Sequence, residues 1–148
     1  MNAIDKTAPS QTECISFEFD LHHSPEKVWR ALTDPVLLTE WLLPVVDLKL
    51  EPGAAFTFKT QPQPGWDGTV NCRFVAIEAQ RKLSYTWVVG DMALNTVVTF
   101  TLTPTASGTR LSLVQSGFKP DQKQNFGGAR YGWKMMGGKL VDLLARIS

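Results

Sequence analysis

The closing stretch GGARYGWKMMGGKLVDLLARIS, residues 127–148, decides the fold of this chain. At about 100° per residue, a helix over this stretch has one apolar face and one polar face. The apolar face carries Trp133, Met136, Gly137, Leu140, Leu144 and Ile147. The polar face carries Lys134, Gly138, Asp142 and Arg146. We therefore predict a long C-terminal helix that packs one face against the rest of the domain.

Five glycines interrupt this helical pattern: Gly127, Gly128, Gly132, Gly137 and Gly138. Each glycine inside a helix costs about 1 kcal/mol relative to alanine, so packing or function must favour glycine here. Gly137 lies in the middle of the apolar face, where it permits either a close approach to a sheet or a hollow. Gly137 and Gly138 together are also typical of a helix that bends around a curved sheet.

Upstream of this helix, alternation of apolar and polar residues predicts seven antiparallel strands. Turn residues such as Pro52-Gly53 and Gly90-Asp91 separate them. The predicted strands are CISFEFDL (14–21), VDLKLE (46–51), AAFTFKT (54–60), TVNCRFVAIEA (69–79), KLSYTWVV (82–89), NTVVTFTLTP (95–104) and SGTRLSLVQS (107–116).

Two short helices are predicted between the first and second strands. In HHSPEKVWRALTDP (22–35), Ser24 is a helix cap and Pro25 suits the first helical position. The second helix lies between Pro35 and Pro44. These elements predict an α+β domain over residues 13–148, in which the sheet wraps around the C-terminal helix, preceded by a flexible tail over residues 1–12.

Several of these segments together resemble the START-like helix-grip superfamily, and within it the family related to the C-terminal domain of the activator of the heat-shock-protein-90 ATPase. The resemblance rests on SPEKVWRALTDPVLLTEWLLP, on RKLSYTWVV after FVAIEAQ, and on GWKMMGGKLVDLL, and it covers residues 15–147. It implies a seven-stranded antiparallel sheet that grips the last helix around a cavity for hydrophobic small molecules. It implies no shared catalytic set, because relatives include carriers, cyclases and co-chaperones.

The composition excludes several classes of partner. A net charge of +1 gives no electrostatic surface for nucleic acid, and no apolar run reaches the roughly 18 residues that span a membrane. The start of the chain, MNAIDKTAPSQTE, lacks the apolar core of a signal peptide, which predicts a cytoplasmic protein. Cys14 and Cys72 match no metal or redox spacing and are expected to be free thiols.

No catalytic or metal-binding constellation is recognisable. GWKMMGGK resembles a phosphate-binding loop, but Gly138 stands where that motif needs lysine, and the motif lies inside a helix. Adjacent His22 and His23 lie at the junction of a strand and a helix without carboxylates or cysteines at ligand spacing. We therefore predict no catalytic residue, no metal and no cofactor.

The predicted strand and helix phases turn a set of aromatic and small residues toward the space between helix and sheet. The candidate ligand-binding residues are Trp41, Phe56, Phe58, Phe74, Tyr85, Trp87, Phe100, Gln115, Trp133, Met136, Gly137 and Leu140. Tyr85 and Gln115 would supply the few polar groups that fix a ligand. The polar stretch GFKPDQKQNFGGAR (117–130) is predicted to be a loop, and a gate to the cavity is one role open to it. Lys119 and Arg130 are expected to be solvated surface charges, with contact to a ligand carboxylate as the alternative.

Three functions remain open at this point. The leading hypothesis is a monomer or homodimer that binds a small hydrophobic molecule without a cofactor. A co-chaperone or stress-response module is the second, because Tyr131 and Met135 fall on the outward side of the helix. The third is a cyclase or aromatase type of enzyme, in which a buried polar group steers a reactive polyketide.

Overall fold

One antiparallel sheet of eight strands runs through the computed structural model, counted over the residues that the structure describes, which are 3–7, 13–64, 66–90 and 93–147. The strands are β1 (Ala3–Asp5), β2 (Cys14–Leu21), β3 (Val45–Val46), β4 (Ala55–Lys59), β5 (Thr69–Glu78), β6 (Lys82–Val89), β7 (Leu94–Thr105) and β8 (Gly108–Ser116). Their order across the sheet is β1-β2-β8-β7-β6-β5-β4-β3. The first two strands thus join the far end of a meander that runs from β3 to β8.

In the described part of the chain, three helices cover one face of the sheet: α1 (Pro25–Thr33), α2 (Pro35–Trp41) and α3 (Lys123–Arg146). The Ser24 hydroxyl accepts a hydrogen bond from the Lys27 backbone N–H, and Pro25 occupies the first turn, as the sequence predicts. The Asp34 carboxylate caps α2 by accepting a hydrogen bond from the Val36 backbone N–H. The predicted α+β class and helix-grip arrangement are confirmed.

The core lies between α3 and the inward face of the sheet. On β2 the alternation places Ile15, Phe17, Phe19 and Leu21 in the core. From α3, Trp133, Gly137, Leu140 and Leu144 are buried, which confirms the predicted apolar face. Leu143, which the helical phase did not single out, is also fully buried.

The sheet has eight strands rather than the predicted seven because of its N-terminus. Residues 3–5, predicted as part of a flexible tail, form β1. This strand pairs antiparallel with β2, and Asp5 lies opposite Phe17. The Thr7 hydroxyl extends this pairing, since it donates to the Ser16 carbonyl and accepts from the Ser16 N–H. The prediction is wrong for these residues, whereas residues 1, 2 and 8–12 of the predicted tail lie outside the described part of the chain.

The predicted strand over 46–51 is much shorter in the structure. Only Val45–Val46 pairs with β4, because Asp47 adopts a left-handed backbone with φ of 60° and turns the chain away. An aspartate tolerates this conformation better than most residues, since its short polar side chain bonds locally. Apolar and polar alternation alone therefore overestimates this strand.

The predicted loop over 117–130 is also shorter, because α3 already begins at Lys123. The Phe126 ring packs edge-on against Phe118 with ring centroids 5.2 Å apart, and both rings are buried. Burial of Phe126 stabilises the first turns of the helix enough to offset the glycines that follow it. The segment that remains available as a loop is residues 117–122.

At Gly108 the β7–β8 turn packs closely against the backbone at the end of β2. Its φ is +154°, and an added Cβ would lie 2.3 Å from the Leu21 carbonyl oxygen and 2.7 Å from the His23 nitrogen. The Thr109 hydroxyl donates to the His23 carbonyl, 2.7 Å away, at the same junction. Backbone atoms on both sides leave no flexible side chain that can move aside.

We predict that Gly108→Ala lowers the free energy of unfolding by about 3 kcal/mol or more, because the new methyl group clashes with backbone. The measurement is urea denaturation. Gly53→Ala is the matched control, since Gly53 also has a positive φ, +81°, but an added Cβ meets nothing within 4 Å. Gly53→Ala should cost only about 1–2 kcal/mol of backbone strain. Equal losses in the two variants would contradict the close contact at Gly108.

Candidate functional site

A cavity of about 410 Å³ lies between the first half of α3 and the sheet. The sheet contributes Val70, Trp87, Val89, Leu94 and Gln115 to its wall. The helix contributes Gln124, Asn125, Gly128, Ala129, Gly132, Trp133 and Met136, and the remaining wall residues are Leu43 and Trp66. A cavity of this size is within the range that holds small organic molecules.

Three indole rings give this cavity an aromatic wall. Trp87 and Trp133 lie with ring centroids 5.4 Å apart and planes tilted by 55°. Trp66 comes from the loop before β5, where its indole N–H donates to the Thr69 carbonyl at 2.9 Å. Since large rigid rings bury much area with little loss of rotamer freedom, such a wall suits a flat apolar molecule.

A chain of hydrogen bonds crosses the base of the cavity from helix to sheet. The Trp133 indole N–H donates to Gln115 Oε1 at 2.7 Å, and Gln115 Nε2 donates to the Thr96 hydroxyl at 2.9 Å. The Thr96 hydroxyl donates in turn to the Trp87 carbonyl at 2.9 Å. Gln115 is fully buried and Thr96 nearly so, which makes this the polar floor of an otherwise apolar space.

The two glycines that border the cavity explain part of the glycine pattern in α3. An added Cβ at Gly128 meets nothing within 4 Å, and at Gly132 it meets only the Met136 methyl, at 3.7 Å. At these two positions of the helix, the absence of a side chain leaves space at the cavity. Gly137 is buried and does not line the cavity, so of the two alternatives at this residue, close packing and a hollow, the hollow is not part of this cavity. Nothing in the structure explains glycine at Gly127 or Gly138, which are exposed.

Four of the twelve predicted ligand-binding residues line the cavity: Trp87, Gln115, Trp133 and Met136. The other eight are buried in the core and do not line it: Trp41, Phe56, Phe58, Phe74, Tyr85, Phe100, Gly137 and Leu140. Trp41, one of these eight, donates its indole N–H to the Ala31 carbonyl at 2.8 Å and packs edge-on against Phe100. Strand phase identifies inward residues, but it does not show which of them are covered by other side chains.

Tyr85 belongs to this covered group. Four phenyl rings surround its ring at centroid distances of 5.2–6.2 Å, contributed by Phe56, Phe58, Phe74 and Phe100. Burial, and secondarily the neighbouring Cys72, raises the pKa of the Tyr85 phenol well above its usual value near 10. Tyr85 is therefore a neutral core residue at physiological pH, and it does not line the cavity.

This raised pKa predicts a pH dependence of stability. The unfolded phenol ionises near pH 10 whereas the folded one stays protonated, so the stability present below pH 10 falls as the pH rises above it. Tyr85→Phe should remove up to about 1.4 kcal/mol per pH unit from this decline. Urea denaturation at several alkaline pH values measures it. Tyr131→Phe is the control, because Tyr131 is exposed and should leave the decline unchanged.

His23 contacts Lys27 of α1 through one of its two ring nitrogens. The Lys27 ammonium lies 3.1 Å from His23 Nδ1, and because an ammonium can only donate, the ring proton is on Nε2. Burial, and then the charge of Lys27, lowers the pKa of His23. Within the described residues no group of three or more histidine, cysteine or acidic side chains has a geometry suited to a metal ion.

Lys119 and Arg130 do not line the cavity, as expected for surface charges, so neither is placed to meet a ligand carboxylate there. Arg130 Nε is 2.5 Å from Asp5 Oδ2, so this guanidinium pairs with β1. Lys119 is exposed at the start of the shortened loop. Among the described residues, no lysine, arginine, histidine or acidic side chain lines the cavity.

Ten residues of the cavity wall were not predicted: Leu43, Trp66, Val70, Val89, Leu94, Gln124, Asn125, Gly128, Ala129 and Gly132. Three of them left a signal in the sequence. Trp66 is a large aromatic residue within a polar loop, and the Gly128 and Gly132 spacing places both glycines on one side of a helix. Neither signal shows by itself that these residues border a cavity.

An eight-stranded antiparallel sheet, a long C-terminal helix and a cavity between them define a START-like helix-grip protein. The chain belongs to the family described as activator of Hsp90 ATPase homolog 1-like protein, whose profile matches residues 22–145. Among the described residues, no helix has both the length and the apolar composition needed to cross a membrane. No curated protein is significantly similar to the chain.

Solved structures share this architecture. The chain is 42% identical to protein MLL2253 from Mesorhizobium loti, with a TM-score of 0.84 over 91% of this chain and 98% of the other. It is 26% identical to protein CV1439 from Chromobacterium violaceum, with a TM-score of 0.74 over 89% and 97% of the two chains. CalU16 from Micromonospora echinospora, 21% identical with a TM-score of 0.74 over 97% and 83%, shares the fold.

Proposed function

We propose that this chain is a cytoplasmic protein that binds a small hydrophobic molecule in the cavity between α3 and the sheet. The single observation that carries this proposal is a space of about 410 Å³ walled by three indoles, where α3 carries Gly128 and Gly132. The apolar surface around such a space stays in contact with water unless a molecule covers it, which is unfavourable.

The position of Gly128 supports the proposal further. Gly127 and Gly128 are adjacent, both are exposed, and an added Cβ at either one meets nothing within 4 Å. They differ in that Gly128 borders the cavity and Gly127 does not. Replacing either glycine by leucine raises helix propensity by a similar amount. A comparison of the two leucine variants therefore distinguishes an effect on the cavity from an effect on helix stability.

We predict that Gly128→Leu weakens binding of an uncharged apolar dye at least about tenfold, because the leucine side chain projects into the space the dye would occupy. The probe is N-phenyl-1-naphthylamine, whose fluorescence rises in apolar surroundings, added to protein refolded from denaturant to remove co-purified molecules. Gly127→Leu is the control and should bind the dye like the natural chain. Loss of binding in both variants, or no binding by the natural chain, would contradict the proposal.

A free-thiol state supports the cytoplasmic part of the proposal. Cys14 is half-buried and Cys72 is buried, and both are free thiols. Burial raises the pKa of both thiols, which keeps them protonated and unreactive. Free thiols are typical of a reducing compartment.

A second candidate function is a co-chaperone or stress-response role, favoured by the outward face of α3. Tyr131 is 66% exposed and Met135 is 51% exposed. Because the two residues are four apart, their side chains are neighbours on the surface of the helix. The family description names an activator of the Hsp90 ATPase. Exposed aromatic and methionine side chains are typical of surfaces that bind other proteins.

We predict for this second function that the double substitution Tyr131→Ser and Met135→Ser weakens binding to the host's Hsp90 about tenfold or more, as for a central interface contact. The measurement is binding to, and ATPase stimulation of, the purified chaperone. Val75→Ser is the control, since Val75 is 57% exposed on a different element, β5. An unchanged ATPase rate with the natural chain would remove the co-chaperone role and leave the ligand-binding proposal intact.

A further inference from the structure

Gln115 is a buried polar residue at the base of the cavity, and its orientation follows from its two partners. The Trp133 indole can only donate a hydrogen bond, so the Gln115 atom that faces it must be the oxygen. The Thr96 hydroxyl gives its own proton to the Trp87 carbonyl, so it must accept from the Gln115 nitrogen. The amide is therefore fixed in one orientation.

The Gln115 amide has hydrogen-bonding positions that its two partners do not use. A side-chain amide has two N–H donors and two acceptor lone pairs. One donor goes to Thr96 and one lone pair to Trp133. One N–H and one lone pair remain on a fully buried side chain that borders the cavity. A bound molecule can thus both donate to Gln115 and accept from it.

The absence of charged side chains from the described cavity wall restricts the charge of a ligand that can bind there. The polar side chains that border it are the three amides Gln115, Gln124 and Asn125, and none of the described wall residues carries a charge. Arg130, which follows the wall residue Ala129 on α3, pairs with Asp5. An ionised ligand would lose its hydration without gaining a partner charge, which is strongly unfavourable.

We propose that the ligand is an electrically neutral, flat aromatic molecule carrying a hydroxyl group, and that the hydroxyl binds the Gln115 amide. A hydroxyl is the smallest group that donates and accepts at one atom, which matches the unused capacity of Gln115. The rings of the ligand lie against Trp66, Trp87 and Trp133. This inference depends on the proposed ligand-binding function and narrows its ligand to one chemical class.

Three compounds of the same ring size test the inference: naphthalene, 2-naphthol and 2-naphthoate. Each competes with N-phenyl-1-naphthylamine for the natural chain at pH 7, where 2-naphthol is neutral and 2-naphthoate is an anion. We expect 2-naphthol to bind about tenfold more tightly than naphthalene, as for one or two buried neutral hydrogen bonds. We expect 2-naphthoate to bind at least about tenfold more weakly than 2-naphthol, because its charge has no partner.

The role of Gln115 is tested by the ratio of 2-naphthol to naphthalene affinity within one variant, since a general loss of stability affects both compounds alike. In Gln115→Met, which keeps the length of the side chain, the ratio should fall to near one. In Trp133→Phe, which removes the indole N–H but keeps the amide, the preference for 2-naphthol should persist. Should Gln115→Met fail to fold, the ranking of the three compounds on the natural chain still decides the ligand class.

Two kinds of failure can be told apart. If naphthalene binds the natural chain but 2-naphthol binds no better, or 2-naphthoate binds equally well, the inference about Gln115 is overturned and the cavity still binds apolar molecules. A preference for 2-naphthol that survives in Gln115→Met also overturns it. If neither the dye nor any of the three compounds binds, the proposed function fails together with this inference.

Discussion

The hydrogen bond from the Trp133 indole to the Gln115 amide joins the closing helix to the sheet, and the site depends on it. Trp133 is buried at the middle of α3 and Gln115 lies on β8. On the sheet side, the amide continues to Thr96 of β7 and from there to the backbone of β6. Three neighbouring strands and one helix thus share one polar connection within an apolar core.

This connection fixes the distance between α3 and the sheet at one point along the helix. On the C-terminal side of Trp133, Leu140, Leu143 and Leu144 fill the space completely. On the N-terminal side, Gly128 and Gly132 leave the space open. The helix is therefore divided into a packed half that stabilises the fold and a sparse half that forms the cavity, even though it is one continuous helix.

Much of the fold could be predicted because it rests on local patterns. The period-two alternation of β2 and the Ser24-Pro25 start of α1 specify their own structure. Two elements could not be predicted in this way. Residues 3–5 become a strand only because β2 offers them an open edge, and the first turns of α3 form because Phe126 packs against Phe118. Both depend on contacts between distant parts of the chain.

The site was less predictable than the fold for a related reason. Strand phase correctly turned Trp87, Gln115 and Phe58 inward, but Phe58 is covered by other aromatic rings while Trp87 and Gln115 border the cavity. Which inward residue is covered depends on how side chains from several strands fill the same volume. Trp66 reaches the wall from a loop whose conformation no periodicity describes.

The indole wall also gives the protein an optical property. Five tryptophans are present in the chain, and three of them, Trp66, Trp87 and Trp133, border the cavity. Trp41, in contrast, is sealed in the core by its bond to the Ala31 carbonyl. Indole emission depends on the polarity and the aromatic neighbours of the ring. The intrinsic tryptophan fluorescence of the purified, unlabelled protein therefore reports whether the cavity is occupied.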